Sequence, residues 1–332
     1  MASITKEKIV EKLKGLREKR IPGFIGPLGV LIVLLIVLYI INPLFLSPIN
    51  LANLARQTSI LLILAIGQMY IIMMGSIDLS VEGNMALTSV LIGLLAKNIF
   101  NSNDYGLLAV LAAVAAGTLM GFVNGFLHTK LRIPGFMATL GMSYVGIGLG
   151  TWISRGMNLP IQDKMILSWA RGNIAGIPYL AFFGIIMLGL GIFLERYTRF
   201  GRYVFAIGGA EDRAKLVGIP IDRYKIIAFT IAGFFFSIAG ILNSARIGAG
   251  ASNSGVGQMF AAITAVAVGG TALSGGTGGV FQTLIGAVIV IVINNGMVLA
   301  GVHNFAQMAV QGVIITIAVI LTLDRSKMPF VK

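Results

Sequence analysis

Apolar residues arrive in this chain as runs of about 20, separated by short polar breaks, which is the length a helix needs to cross a bilayer. Of the 332 residues, 57% are hydrophobic and only 11% are charged, with a mean hydropathy of +0.92. A soluble domain carries roughly 25% charged residues, so the solvent of this chain is lipid. Hydropathy and the polar breaks predict spans near 27–42, 58–75, 80–97, 106–128, 135–153, 179–195, 226–245, 259–274, 280–299 and 304–323. The expected fold is an all-α polytopic membrane protein of about ten transmembrane helices. The 43 glycines have no collagen period and suit tightly packed membrane helices.

Charge orients the spans. The formal net charge is +13, from 25 Lys+Arg against 12 Asp+Glu. That excess would suggest nucleic acid in a soluble protein, but here the basic residues cluster between apolar runs. With both termini cytoplasmic, every basic residue falls inside except Arg56, Lys97, Arg155, Lys164, Arg171 and Arg246. The opposite orientation fails. The stretch LFLSP after the first run lacks a small-residue cleavage site, so an uncleaved first span is expected. Segments 1–24 and 325–332 read as a cytoplasmic N-terminal segment and tail flanking a membrane domain over 25–324. Trp152, Trp169 and Tyr179 flank the longest outer connection, Ser154–Pro178, as interface anchors would. That connection suits either an external partner or a passive loop on the bilayer.

One long polar segment interrupts the grease, Gly201–Lys225. Gly208 and Gly209 are expected to break what precedes them, and Glu211 and Asp212 to open a short helix followed by Arg213 and Lys215, an order that complements the helix dipole. Gly218 supplies a stop and Pro220 prevents continuation. Ala210, Ala214 and Val217 form a narrow apolar stripe suited to a groove in another protein. A solvated connecting loop is the plain alternative.

The remaining motifs argue against chemistry. Gly117, Gly121 and Gly125 form a doubled G-x-x-x-G that reports close helix packing. In GSIDLSVEG, Gly75–Gly83, Asp78, Leu79 and Ser80 sit at an expected inner turn, with Asp78 or Ser80 capping the third helix and Glu82 in its first turn. A gate or hinge is the functional alternative. Leu273–Ser274 in GGTALSGG echo that turn between the eighth and ninth spans, a hint of internal repetition. ALSGGTGG lacks the lysine of a phosphate loop and predicts a tight hairpin, so the chain is not expected to hydrolyse ATP itself. His128 and His303 stand far apart, and no nucleophile–base or metal-ligand spacing occurs, so neither catalytic nor metal residues are expected. The chain has no cysteine. Amides in the spans, Gln68, Asn124, Asn294 and Asn295 among them, suit a neutral hydroxyl-rich solute, or serve as interhelical glue. Ionisable residues are not expected at mid-span, which disfavours ion coupling.

Four ordered motifs carry a resemblance: GSIDLSVEG, MATLGMSYVGIGLG, GRYVFAIGGAEDRAKLVGI and AVAVGGTALSGGTGGVFQTLIGAVIVIVINNG. From Gln57 to Asp324 the chain closely resembles the ribose-type permease subunits of bacterial ABC sugar importers, differing at Ser76 and Glu82. The resemblance implies an inner-membrane permease subunit translocating a monosaccharide, pentose or hexose, by alternating access. It implies a homodimer or heterodimer of permeases, a cytoplasmic subunit binding ATP and Mg, and an extracytoplasmic sugar-binding protein. It makes 196–225 the coupling loop that meets the ATPase, with Gly208, Gly209, Ala210, Glu211, Ala214, Val217 and Gly218 at the contact. The alternatives are the same architecture carrying a nucleoside, polyol, furanosyl signal or branched amino acid, an ion-coupled carrier, and a membrane-embedded enzyme.

Overall fold

The computed structural model describes residues 24–100 and 103–322, so the first segment and the tail lie outside the described residues. The chain is built from helices α1 (Ile25–Ile41), α2 (Pro48–Met73), α3 (Val81–Leu95), α4 (Leu107–Thr129), α5 (Gly135–Ser154) and α6 (Lys164–Arg171). Then follow α7 (Tyr179–Tyr197), α8 (Arg199–Gly209), α9 (Glu211–Leu216), α10 (Ile221–Ile247), α11 (Gln258–Val268), α12 (Val280–Leu299) and α13 (Asn304–Thr322). A 3-10 turn, Pro43–Leu46, links α1 to α2. Among the described residues, six helices (α2, α4, α5, α7, α10 and α12) are long and apolar enough to cross a membrane.

Two expected spans come out short. α3 has 15 residues and α11 has 11, roughly 22 and 16 Å of helix against a hydrocarbon core of about 30 Å. The missing length is non-helical backbone, which hydropathy cannot distinguish from helix. The second span begins ten residues before the expected 58, because Ser47 caps the helix through the Asn50 N–H and Pro48 occupies its first turn.

α2 and α10 form the centre, with α4 packed along α10 and α12 along α2. The G-x-x-x-G of α4 works as expected. Gly121 lies against the Phe229 carbonyl and Gly233 of α10, and Gly125 against Ile226. α3 packs on α5 in the same way, Gly83 against Ser143 and Gly146 against Gly83.

Loops gather at two ends. At one, the Gly276 N–H donates to the Met73 carbonyl at 3.0 Å and Lys130 meets Asp222 at 3.3 Å. At the other, strand β1 (Leu159–Pro160) pairs antiparallel with β4 (Ala249–Gly250). The long connection after α5 is ordered protein there: α6 is capped by Asp163 and buries Ile166 and Ala170, and a small hairpin of β2 (Asn173–Ile174) and β3 (Ile177–Pro178) follows. ALSGGTGG forms the expected hairpin, closed by Ala272 N–H to Thr277 O and Gly275 N–H to Ala272 O.

Candidate translocation path and coupling surface

The two short helices meet in the interior. After Met73 the chain turns at Met74 and Gly75 and runs without helix to Ser80, and after Gly248 it again runs without helix to Gly257. The N-termini of α3 and α11 converge, and the Glu82 carboxylate of α3 accepts from the Gly257 N–H at 2.9 Å. Glu82 lies in the first turn of α3, as expected, and its oxygen also serves the start of α11. Because Gly83 contacts Ser143, eight residues into α5, the junction lies roughly 12 Å along that helix. Carboxylates therefore do stand at depth, contrary to the sequence expectation for the spans.

Irregular backbone at that depth must find its hydrogen-bond partners within the protein. The structure supplies them from side chains. Thr139 of α5 accepts from the Leu79 N–H at 2.9 Å, and Ser143 from the Gly83 N–H at 3.2 Å. On the other break, Ser89 accepts from the Ala251 N–H at 2.9 Å, and Asn243 donates to the Ser254 carbonyl at 2.9 Å. Asp78 accepts from the Ser80 N–H at 2.6 Å, making a local turn before α3. Ser80 makes no cap bond; its hydroxyl accepts from Asn124 at 2.7 Å. The expected inner turn, at Met74 and Gly75, thus leads into a non-helical entry to a half-helix, with Asp78 and Ser80 both buried. Leu79 packs against the core beside them.

The four candidate path amides do not share one place. Gln68 lies toward the Met73 end of α2, fully buried, with both amide atoms lacking a partner among the described residues. Asn124 joins Ser80, and its carbonyl oxygen is likewise unpartnered, as are Asp78 Oδ2 and Asn84 Oδ1. Asn294 and Asn295 sit at the opposite end of the molecule. Asn295 exchanges two 2.9 Å hydrogen bonds with Asn50 of α2, and Asn294 accepts from Gln311 of α13 at 3.1 Å. Those two stitch helices together. Sequence reasoning missed Asn84 and Glu195, whose carboxylate accepts from the Val280 N–H at 2.6 Å and caps α12.

The polar segment folds as two short helices. α8 runs through Gly208 and Gly209 and ends on them, a correction to the expected break. A side chain at Gly208 would overlap the Met73 carbonyl, and one at Gly276 would press on Gly209. The glycines let the segment lie flush against the ends of α2 and the ALSGGTGG hairpin. α9 spans Glu211–Leu216 and closes as a Schellman motif, with Ile219 N–H to Ala214 O at 3.1 Å, Gly218 N–H to Lys215 O at 3.0 Å, and Gly218 at φ 78°. Lys225 ties Glu211 back to α10 at 2.8 Å. The expected stripe does not all face outward. Ala214 is 4% exposed inside its own chain, while Leu216 and Val217 stand 86% and 76% exposed. Between α8 and α9 lies a groove of about 380 Å³ lined by Phe205, Ala206, Ala210, Ala214 and Val217.

Residues 50–319 match the family described as branched-chain amino acid transport system / permease component. The chain belongs to that family. The match runs from the first turn of α2 to the last turn of α13, including both half-helices and the α8–α9 segment, and leaves α1 outside. Relatives include the probable ABC transporter permease protein YphD of Escherichia coli K12, 38% identical over 90% of this chain and 89% of the relative. The ribose import permease protein RbsC of the same strain is 36% identical over 88% and 91%, and the galactose/methyl galactoside import permease protein MglC of Salmonella typhimurium 32% over 88% and 93%. No solved structure matches the chain. The family membership and the apolar helices make it a multi-pass membrane protein and a permease component.

Proposed function

We propose that this chain is the permease subunit of an ATP-driven importer of a monosaccharide, a pentose or hexose, working in the bacterial inner membrane with both termini cytoplasmic and about ten passages. The observation that carries the reading is the relatedness, over nearly the whole chain, to permeases named for ribose and galactose import. The site chemistry fits. Uncharged acceptors left unpartnered beside the half-helix junction, Asn84 Oδ1 and Asn124 Oδ1, would take hydrogen bonds from sugar hydroxyls as the path opens. A zwitterionic amino acid would need partners for both of its charges; Asp78 and Glu82 stand at the junction, and Arg246, bonded to Asn243 at 3.3 Å, flanks the second break.

A second permease copy or a paralogue would complete the path across the exposed face of α5. ATP and Mg would be bound by a separate cytoplasmic subunit, docked on α8–α9, and a sugar-binding protein would deliver cargo at the opposite end. Nucleotide-driven closure of the ATPases would pull on α9; Lys225 and the Schellman turn would transmit that pull to α10, and Gly208 and Gly276 to α2 and the half-helices. The test is a ligand screen on the external binding protein that supports uptake through this chain, followed by uptake in proteoliposomes holding all subunits. Pentose or hexose binding with matching ATP-dependent uptake supports the proposal. A binding protein selective for a branched amino acid overturns the cargo assignment.

A further inference from the structure

Next to α9, at the same end of the molecule, lies a separate cleft of about 920 Å³, a volume suited to a small-molecule ligand. One wall is the end of α4 (His128) and its connection to α5 (Lys130, Arg132), and the other is formed by α9 and the start of α10 (Lys215, Arg223, Lys225). Two carboxylates also line it, and both are already engaged: Asp222 with Lys130 at 3.3 Å and Glu211 with Lys225 at 2.8 Å. Arg132, Lys215 and Arg223 are exposed and have no carboxylate partner among the described residues. The cleft therefore carries three positive charges beyond those its own acids neutralise.

Its shape and surroundings narrow the occupant. Arg132 holds a left-handed backbone, φ 55°, which is costly for a side chain with a Cβ. Ile133, Pro134 and Ile219 supply an apolar wall. Leu131, between the two basic residues of the loop, is 57% exposed where α4 and α5 leave the apolar layer. Arginines on both walls of a concave site with an apolar flank match a phosphate ester, since arginine binds phosphate oxygens in a forked geometry that a point charge does not offer.

We propose that this cleft binds a phosphate group, supplied by an anionic phospholipid headgroup, and that it links the α4–α5 connection to α9. The site does not depend on the cargo; it rests on the proposed orientation only for the leaflet that supplies the lipid. Basic side chains near an anionic surface each contribute about 1 kcal/mol, so loss of two weakens binding roughly 30-fold.

The experiment uses the full chain in phosphatidylcholine nanodiscs, titrated either with phosphatidylglycerol or with inorganic phosphate, with amide exchange followed at 128–134 and 211–225. Phosphatidylglycerol is expected to slow exchange in both segments, and Arg132→Gln with Arg223→Gln to require roughly 30-fold more of it. The pair Arg155→Gln with Arg171→Gln, at the opposite end, is expected to respond like the parent. The same protection by inorganic phosphate supports the site and assigns the source as free phosphate. No protection by either compound overturns the proposal, including the case in which only an ATPase subunit protects these segments. An unchanged response of the Arg132/Arg223 variant also overturns it. Because exchange is read without transport, failure of the importer reading leaves this test intact.

Discussion

Gly121 shows what a single hydrogen atom does in this molecule. A methyl group there would collide with the Phe229 carbonyl and the Gly233 backbone, neither of which can rotate away. Gly121→Ala is expected to lower stability by about 1–3 kcal/mol, read as earlier thermal unfolding in detergent. Gly141→Ala, whose added methyl meets nothing, is expected to be neutral or to stabilise by roughly 0.5–1 kcal/mol because the helix interior gains a better former. Equal effects would show that the α4–α10 contact is not tight. Glu82 is the polar counterpart. Glu82→Ala leaves the Gly257 N–H without its acceptor, at a cost of about 1–3 kcal/mol, and loosens the junction of the half-helices. Glu82→Gln keeps a carbonyl oxygen and is expected to retain most of that stability. Melting and uptake of the alanine variant at parental levels would remove Glu82 from the account. The glycine spacing was readable in the sequence because helical neighbours are four residues apart. The Glu82 contact was not, because its partner lies 175 residues away.

At the scale of elements, α9 was legible and its outward face was not. Its start, stop and charge order follow from local rules, and Glu211–Leu216 forms where those rules place it. Which side faces a partner depends on how α8 and α10 hold it, and they turn Ala214 inward. Ala214→Asp is therefore expected to damage the fold of this segment rather than its docking alone. Leu216→Asp is the cleaner test. Loss of an interface anchor of about 2 kcal/mol corresponds to roughly 30-fold weaker association with the ATPase subunit, measurable by co-purification or titration, with melting unchanged. Undiminished association would place the contact elsewhere. The half-helices α3 and α11 were hidden for a different reason. Hydropathy reads the apolarity of 80–97 and 259–274 correctly but carries no information on whether the backbone is coiled. The serines and threonines that satisfy backbone N–H groups at these breaks, Ser89, Thr139 and Ser143, looked like ordinary span residues.

At the scale of the whole molecule, loops gather at two ends, and the proposed topology puts the end richer in Lys and Arg in the cytoplasm. The absence of native cysteine makes this simple to check. Leu216→Cys is expected to react with an impermeant maleimide only in inside-out vesicles, and Ile174→Cys only in right-side-out ones; both residues are exposed. The reverse pattern would invert the topology and detach α9 from any cytoplasmic ATPase. The central claim is a division of labour: a path through paired half-helices, moved by an ATPase that grips α9. The most direct measurement is uptake of radiolabelled ribose into proteoliposomes containing the permease, its ATPase subunit and the binding protein, with and without ATP. Accumulation only with nucleotide, abolished by Leu216→Asp, is the predicted result. Accumulation by the permease alone, driven by a proton or sodium gradient, would contradict it.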